Sequence, residues 1–148
     1  MKHLMAVLAA TVLTTACASS SNSTPGPPDV QVSIDQAAYQ RPGAGPTNVQ
    51  YQVTVVNPTN DILTLKKLDL QSVGVGAYFI RTGPRAMNET VLANGISTIG
   101  LSVWANARRG FAGLNEPVTI RGVATFEDGH GHSFTSLFTD TLSQSNRL

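Results

Sequence analysis

The sequence has one cysteine, few charged residues and no long apolar run. Because Cys17 is the only cysteine among 148 residues, no intramolecular disulfide can form, and a folded domain must rely on its apolar core. Charged residues make up 13%, and 10 basic residues nearly balance 9 acidic ones. Nucleic-acid-binding domains carry a basic surface, so no nucleic-acid partner is predicted. The longest mainly apolar stretch, Leu4 to Leu13, is too short for a helix that spans a bilayer, which needs about 20 residues.

Residues 1–16 have the layout of a signal peptide. Lys2 and His3 give a basic start, an apolar stretch follows, and small residues precede Cys17. Thr15-Ala16-Cys17 resembles the lipobox of bacterial lipoproteins, although Leu13 lies one residue further from the cysteine than the usual pattern places it. The resemblance implies that Cys17 becomes the lipidated N-terminus, and two or more acyl chains would anchor it stably. The alternative is an ordinary signal peptide cleaved after Ala16 or Ala18.

Residues 17–29 are predicted to be the lipidated cysteine and a flexible tether. Ala18 to Pro28 is rich in Ser and Pro and has no large apolar side chain to pack. As a random coil this segment would span about 20 Å, which suits a domain held close to a membrane. The residue after the cysteine is Ala18 and not Asp. By resemblance to lipoproteins of two-membrane bacteria, this implies the outer membrane, with the domain facing the periplasm, if the host has two membranes.

Residues 30–148 alternate between apolar and polar side chains with a period of two. This pattern predicts β-strands with one buried and one solvated face, and no window has helical spacing. Turn residues divide the segment into about seven or eight strands. The predicted fold is all-β: a two-sheet antiparallel sandwich, immunoglobulin-like or fibronectin III-like. The clearest alternating stretches are Val30–Ile34, Val49–Val55, Ile99–Val103 and Val118–Phe126.

Two segments interrupt the alternation. Leu63 and Leu65 have one parity, whereas Leu68 and Leu70 have the other, so either one β-bulge or two separate strands is expected. A similar change of parity is expected in the last strand, among Phe134, Leu137 and Phe138. Tight turns are predicted at Asn94-Gly95 and at Asp128-Gly129, the latter between Phe126 and Phe134.

A strand, an Asn-Pro turn and a Leu-rich strand follow one another at Tyr51–Thr59 and Leu63–Leu70. This arrangement resembles part of the late-embryogenesis-abundant type 2 (WHy) sandwich domains, with Thr59 in place of the second turn Asn. The resemblance implies a β-sandwich. The physical expectation is that Asn57 caps the turn through its own side chain and that Pro58 fixes φ.

His130 and His132 are the candidate metal ligands. A His-x-His pair on a strand places both imidazoles on one face, where a third ligand such as Asp128 or Glu127 would complete a zinc, copper or nickel site. The alternative is a solvated hairpin turn, since two histidines alone do not make a site. The sequence has no nucleophile elbow and no pair of carboxylates placed across a cleft, so neither an enzyme nor a cofactor is predicted.

Trp104, Arg108, Arg109 and Phe111 are the candidate partner-binding residues. Binding hot spots use Trp, Arg and aromatic side chains, and loops on a rigid sandwich often carry them. Parity places Trp104 on the face opposite Leu101 and Val103. The alternative is that Trp104 folds over the sandwich edge and that the arginines only solvate a loop. A second basic segment, Arg81 to Arg85, is equally ambiguous.

The sequence therefore predicts a lipid-anchored lipoprotein of the bacterial cell envelope. Its sandwich is expected to act as a non-enzymatic binding or structural module, and the expected partner of a binding module is an envelope protein, a glycan or a lipid. The alternative function is a periplasmic metal-handling lipoprotein that uses the turn at His130 and His132.

Overall fold

The structure is a computed structural model that describes residues 28–37, 45–107 and 116–142. These residues form eight antiparallel strands and no helix, so they contain no helix that could cross a membrane. The strands are β1 (Gln31–Gln36), β2 (Thr47–Val56), β3 (Leu63–Val73), β4 (Tyr78–Ile80), β5 (Arg85–Val91), β6 (Ile96–Ala107), β7 (Val118–Asp128) and β8 (Ser133–Leu142).

The strands form two four-stranded sheets that pack as a sandwich. Sheet I has the order β1-β2-β6-β4, and sheet II has the order β5-β3-β7-β8. Sheet I thus corresponds to the A-B-E-D sheet of an immunoglobulin constant-type domain, and β3-β7-β8 corresponds to C-F-G. Strand β5 is an addition beside β3. The predicted all-β, two-sheet antiparallel sandwich is confirmed.

The core lies between the sheets and follows the alternation seen in the sequence. Most strands bury alternate side chains, so both inner faces are apolar and interdigitate, whereas β5 buries only Val91 fully. The largest fully buried side chains are Tyr51, Tyr78, Phe126, Leu63, Leu65, Leu68, Leu70 and Ile120. Since Cys17 has no cysteine partner, burial of these side chains is the main source of stability.

A β-bulge explains the change of parity in β3. The register shifts between Leu65 and Lys67 against both β5 and β7. Against β7, Leu65 and Lys67 oppose the consecutive residues Phe126 and Thr125, so Lys66 is the extra residue in β3. As a result, all four leucines of the segment point into the core. Of the two expected explanations, one bulged strand is therefore correct.

The predicted change of parity in β8 is wrong. β8 pairs with β7 without interruption from Ser133 to Leu142, and Phe134 and Phe138 both face inward. Leu137 points outward and is 74% exposed. The prediction fails because Leu137 is an apolar residue on the solvated face of the strand.

Polar side chains of β8 close the free edge of β1. The Asp140 carboxylate accepts a hydrogen bond from the backbone N–H of Ile34 at 2.8 Å, and the Ser136 hydroxyl donates to the carbonyl of Val30 at 3.0 Å. β1 and β8 belong to different sheets, so these bonds join the two layers at one side of the sandwich. They also occupy edge groups that would otherwise be open to another strand.

The Asn57 turn is built as the sequence predicts. The Oδ1 atom of Asn57 accepts hydrogen bonds from the backbone N–H and the hydroxyl of Thr59, while its Nδ2 donates to the carbonyls of Asp61 and Leu92. Asn57 is completely buried, the one buried polar residue in the described part of the chain. Its side chain therefore ties the β2–β3 turn to the β5–β6 connection.

Candidate binding face

Trp104 lies on the outer face of sheet I, in an internal strand. Its neighbours Val103 and Ala105 point into the core, so the indole points outward, and Trp104 is 65% exposed. β6 continues to Ala107; β2 pairs with it at Trp104, and β4 pairs with it from Ala105 to Ala107. The predicted exposure of Trp104 is confirmed, and the alternative in which the side chain folds over an edge at a strand end is wrong.

The residues opposite Trp104 are uncharged and polar. Across the β2–β6 pair, Asn48 faces Trp104, Gln50 faces Ser102, and Gln52 faces Gly100. Each of these residues points away from the core because its neighbours in β2 are buried. We call this set, together with Trp104, the amide face: Asn48, Gln50, Gln52, Gly100, Ser102 and Trp104.

Hydrogen bonds fix the middle of the amide face. Gln50 donates from Nε2 to the Ser102 hydroxyl at 2.9 Å, and Ser102 in turn donates to Oδ1 of Asn48. Among the described residues, the indole N–H of Trp104 and the Nδ2 group of Asn48 have no hydrogen-bond partner. The face thus presents ordered side chains with donors and acceptors still directed at solvent.

Gly100 leaves a low point on the amide face. A Cβ atom built on Gly100 would have no heavy atom within 4 Å, so packing does not require glycine at this position. No positive φ requires it either, since Gly100 is absent from the positive-φ residues of the described chain. The absence of a side chain allows a ligand to approach the backbone between Gln52 and Ser102.

Charged groups border the amide face without entering its centre. On one side, Asp35 of the edge strand β1 pairs with Gln52. On the other side, Arg85 donates from its guanidinium to the carbonyl of Ser102 at 3.3 Å. Arg85 is the first residue of β5, and Arg81 forms an isolated bridge with Gln71. The two arginines of the predicted second basic loop therefore have different partners.

Phe79 extends the apolar part of this face. It is the outward residue of β4, is 44% exposed, and pairs with Asn106 of β6. Trp104 comes two residues before Asn106, so Phe79 and Trp104 occupy diagonal positions on the same face of the sheet, which is within the reach of aromatic side chains. Sequence analysis missed Phe79 because three residues are too few to show an alternation.

A buried tyrosine pair supports the sheet beneath Trp104. The hydroxyl of Tyr51 donates to that of Tyr78 at 2.9 Å, and Tyr78 donates to Oε1 of Gln36 at 3.4 Å. Burial raises the pKa of Tyr51 and of Tyr78 well above the ordinary phenol value, so both hydroxyls stay protonated. The bonds connect β1, β2 and β4 under the amide face.

The candidate histidines lie in the β7–β8 turn and not on a strand. The Asp128 carboxylate accepts the backbone N–H groups of His130 and His132 at 2.8 Å each, and its other oxygen lies 3.0 Å from Nδ1 of His132. The backbone N–H of His132 is the main reason that the pKa of Asp128 lies below its usual range. The two imidazoles stack with centroids 6.1 Å apart. No group of three potential metal ligands occurs in the described ranges.

The other predicted site residues lie outside the described residues. Cys17, Arg108, Arg109 and Phe111 belong to this group, so their predicted roles in lipidation and partner binding stay predictions. Sequence analysis also missed the amide side chains of β2. Their alternation was visible, but only the register shows that Asn48 lies opposite Trp104.

No family model and no curated protein matches the sequence. Solved structures do match. Northeast Structural Genomics Consortium target SoR45 has a TM-score of 0.55 at 12% identity, covering 80% of this chain and 88% of that one. A protein from Archaeoglobus fulgidus has a TM-score of 0.42 at 14% identity, covering 78% and 97%. A FixG-related protein from Vibrio parahaemolyticus has a TM-score of 0.39 at 15% identity, covering 79% and 97%. The chain is similar to the first of these in fold.

Proposed function

We propose that the protein is a lipid-anchored cell-envelope lipoprotein whose sandwich is a non-enzymatic binding module, with the amide face as its binding surface. The exposed indole of Trp104 carries this proposal. A large amphipathic ring held on a rigid internal strand gives a ligand contact area at little entropic cost. Exposed tryptophan is also typical of interaction hot spots.

The position of the tether supports the proposal. Pro28 to Val30 lead into β1, whose first residue Gln31 pairs with Val56 at the end of β2. Trp104 pairs with Asn48, eight residues from Val56 and so about 27 Å away along the strand. An anchor at Cys17 would therefore be attached at the end of the sandwich remote from Trp104, and the amide face would stay accessible.

The same end carries three exposed aliphatic side chains. They are Ile62, Leu92 and Ile96, and the turns that hold them are tied together through Asn57. Ile62 and Leu92 each lie one residue beyond the last pair of the β3–β5 ladder, Leu63 and Val91. Apolar side chains at the tether end suit a surface held toward lipid, whereas the opposite orientation would direct Trp104 at the membrane.

Fractionation and sedimentation test the two parts of the proposal separately. Cys17→Ser should move the full-length protein from the membrane fraction to the soluble fraction of the bacterial host. The soluble Cys17→Ser protein should co-sediment with isolated cell envelopes, and adding Trp104→Ala should abolish this. Adding Leu137→Ala, which removes a similarly exposed side chain from sheet II, should have no effect. Membrane retention of Cys17→Ser would refute the anchor, and equal sedimentation of all three proteins would refute the module.

A further inference from the structure

We propose that the ligand of the amide face is an uncharged polysaccharide chain, which lies along β2 and β6 with one ring stacked on Trp104. This inference rests on the proposed binding function and names its ligand class. The strip from the Asn48–Trp104 pair to the Thr54–Thr98 pair is six residues long, or about 20 Å. That length accommodates an oligosaccharide of several rings.

The indole supplies the apolar half of sugar recognition. A pyranose ring exposes C–H groups on its faces, and these carry partial positive charge. The face of an indole carries the negative part of the ring quadrupole and attracts such groups. Because Trp104 is 65% exposed and stands on an internal strand, a flat ring can approach it from solvent. Phe79 lies diagonally beside it and offers a second apolar contact.

The amides supply the polar half. A sugar hydroxyl both donates and accepts hydrogen bonds, and so does a carboxamide, whereas a carboxylate or an ammonium group does only one. Asn48, Gln50 and Gln52 place three carboxamides in a row on alternate positions of β2. The bond from Gln50 to Ser102 holds part of this row in place before a ligand arrives, which lowers the entropic cost of binding.

Charge distinguishes a neutral glycan from other envelope ligands. No outward side chain of β2 or β6 in the described structure is ionisable, and Asp35 and Arg85 have opposite signs at opposite borders. Within the described ranges, an acidic glycan or a lipid headgroup would find Arg85 at the border of the face and no basic cluster on it. A neutral chain needs no compensating charge. The open space at Gly100 then admits a ring against the backbone.

The test uses the full-length lipidated protein in detergent micelles on an array of immobilised hexasaccharides. The neutral probes contain glucose, mannose or N-acetylglucosamine, and a uronic acid hexasaccharide is the charged comparison. We expect binding to at least one neutral probe, little change when the salt concentration is raised about tenfold, and weaker binding to the charged probe. Trp104→Ala should weaken neutral binding at least about tenfold, because it removes the aromatic hot spot of the face.

Gly100→Gln is the more specific variant, because packing does not require glycine at this position and the added side chain would only obstruct the ligand. The added Cβ meets no heavy atom within 4 Å and a strand disfavours glycine, so the thermal midpoint should be unchanged or slightly higher, while binding falls at least about tenfold. Leu137→Ala should bind as the unaltered protein does. The ligand class is wrong if no neutral probe binds, or if neutral binding survives both Trp104→Ala and Gly100→Gln. If envelope sedimentation still depends on Trp104 but no glycan binds, the binding-module proposal is supported and only the proposed ligand class is rejected.

Discussion

Gly122 of β7 lies directly opposite Phe138 of β8, and the Phe138 ring occupies the space where a side chain of residue 122 would begin. A Cβ atom at position 122 would overlap three atoms of that ring. The glycine is therefore required by packing, since it lets an aromatic side chain close the core next to the free edge of sheet II. Both residues face inward, in line with the alternation of their strands.

Gly122→Ala should destabilise the protein by about 1–3 kcal/mol, the usual cost of overpacking a core. The ring cannot move away freely because Phe138 is buried. Urea denaturation followed by circular dichroism measures the loss. Gly100→Ala is the matched control, since an added Cβ there meets nothing and a strand prefers alanine to glycine. Equal stability of the two variants would contradict the packing role of Gly122.

Deletion of Lys66 should prevent folding, whereas Lys66→Ala should change stability by less than about 0.5 kcal/mol. Lys66 is the bulge residue, and without it one pair of leucines in β3 must point to solvent. Its side chain makes only an exposed ion pair with Glu127 at 3.7 Å, which contributes little. A cooperative thermal transition in the deletion variant would show that the register can slip, against this interpretation.

The strands could be predicted from the sequence wherever alternation extends over at least four residues with one buried face. β2, β6 and β7 meet this condition, and the structure contains all three. Each strand is longer than its predicted stretch, most of all β6, which extends from Ile96 to Ala107. The bulge in β3 was also visible, because Lys66-Lys67 separates two pairs of leucines. β4 has only three residues, and β5 buries only Val91 fully, so neither has a readable period.

The candidate site was only half visible in the sequence. Parity correctly predicted that Trp104 is exposed, because Leu101 and Val103 define the inner face of β6. The amides of β2 look like ordinary solvated positions until the pairing brings Asn48 opposite Trp104. Strand pairing is a long-range property that depends on how both strands fit the core. The local sequence of either strand therefore does not show which residues lie opposite each other. The predicted change of parity at Leu137 failed for a related reason, since no local sequence pattern distinguishes an exposed leucine from a buried one.

The β7–β8 hairpin should lose order as the pH falls. Hydrogen bonds to the carboxylate, first from the backbone N–H of His132, hold the pKa of Asp128 below its usual range. The folded state therefore binds its proton less readily than the unfolded chain. This contribution is fully present above the ordinary aspartate pKa and is lost as the pH falls through the lowered one. NMR titration of the Asp128 carboxyl carbon should give a midpoint below that of an unstructured peptide, and an equal or higher midpoint would contradict the assignment.

Asn57→Ala should destabilise the protein by about 3 kcal/mol, because it leaves several buried backbone groups without a partner. Nδ2 of Asn57 donates to the carbonyls of Asp61 and Leu92, and Oδ1 accepts from the N–H of Thr59. Denaturation by urea and by heat measures the change. A loss below about 0.5 kcal/mol, the range of surface substitutions, would show that water replaces the side chain.

Asn57→Asp separates the donor role of this side chain from its shape. The carboxylate keeps the acceptor for Thr59 but turns a negative oxygen toward the carbonyls of Asp61 and Leu92, so the variant should be at least as unstable as Asn57→Ala at neutral pH. Burial raises the pKa of the new carboxyl, the folded state then binds more protons than the unfolded one, and stability should rise as the pH falls. Asn60→Asp is the matched control, because Oδ1 of Asn60 already serves as an acceptor, for Nδ2 of Asn94 at 2.9 Å, and this bond survives the change. Thermal midpoints of both variants at neutral and acidic pH decide the point: recovery in acid only for Asn57→Asp supports the donor role, and parallel behaviour of the two variants rejects it.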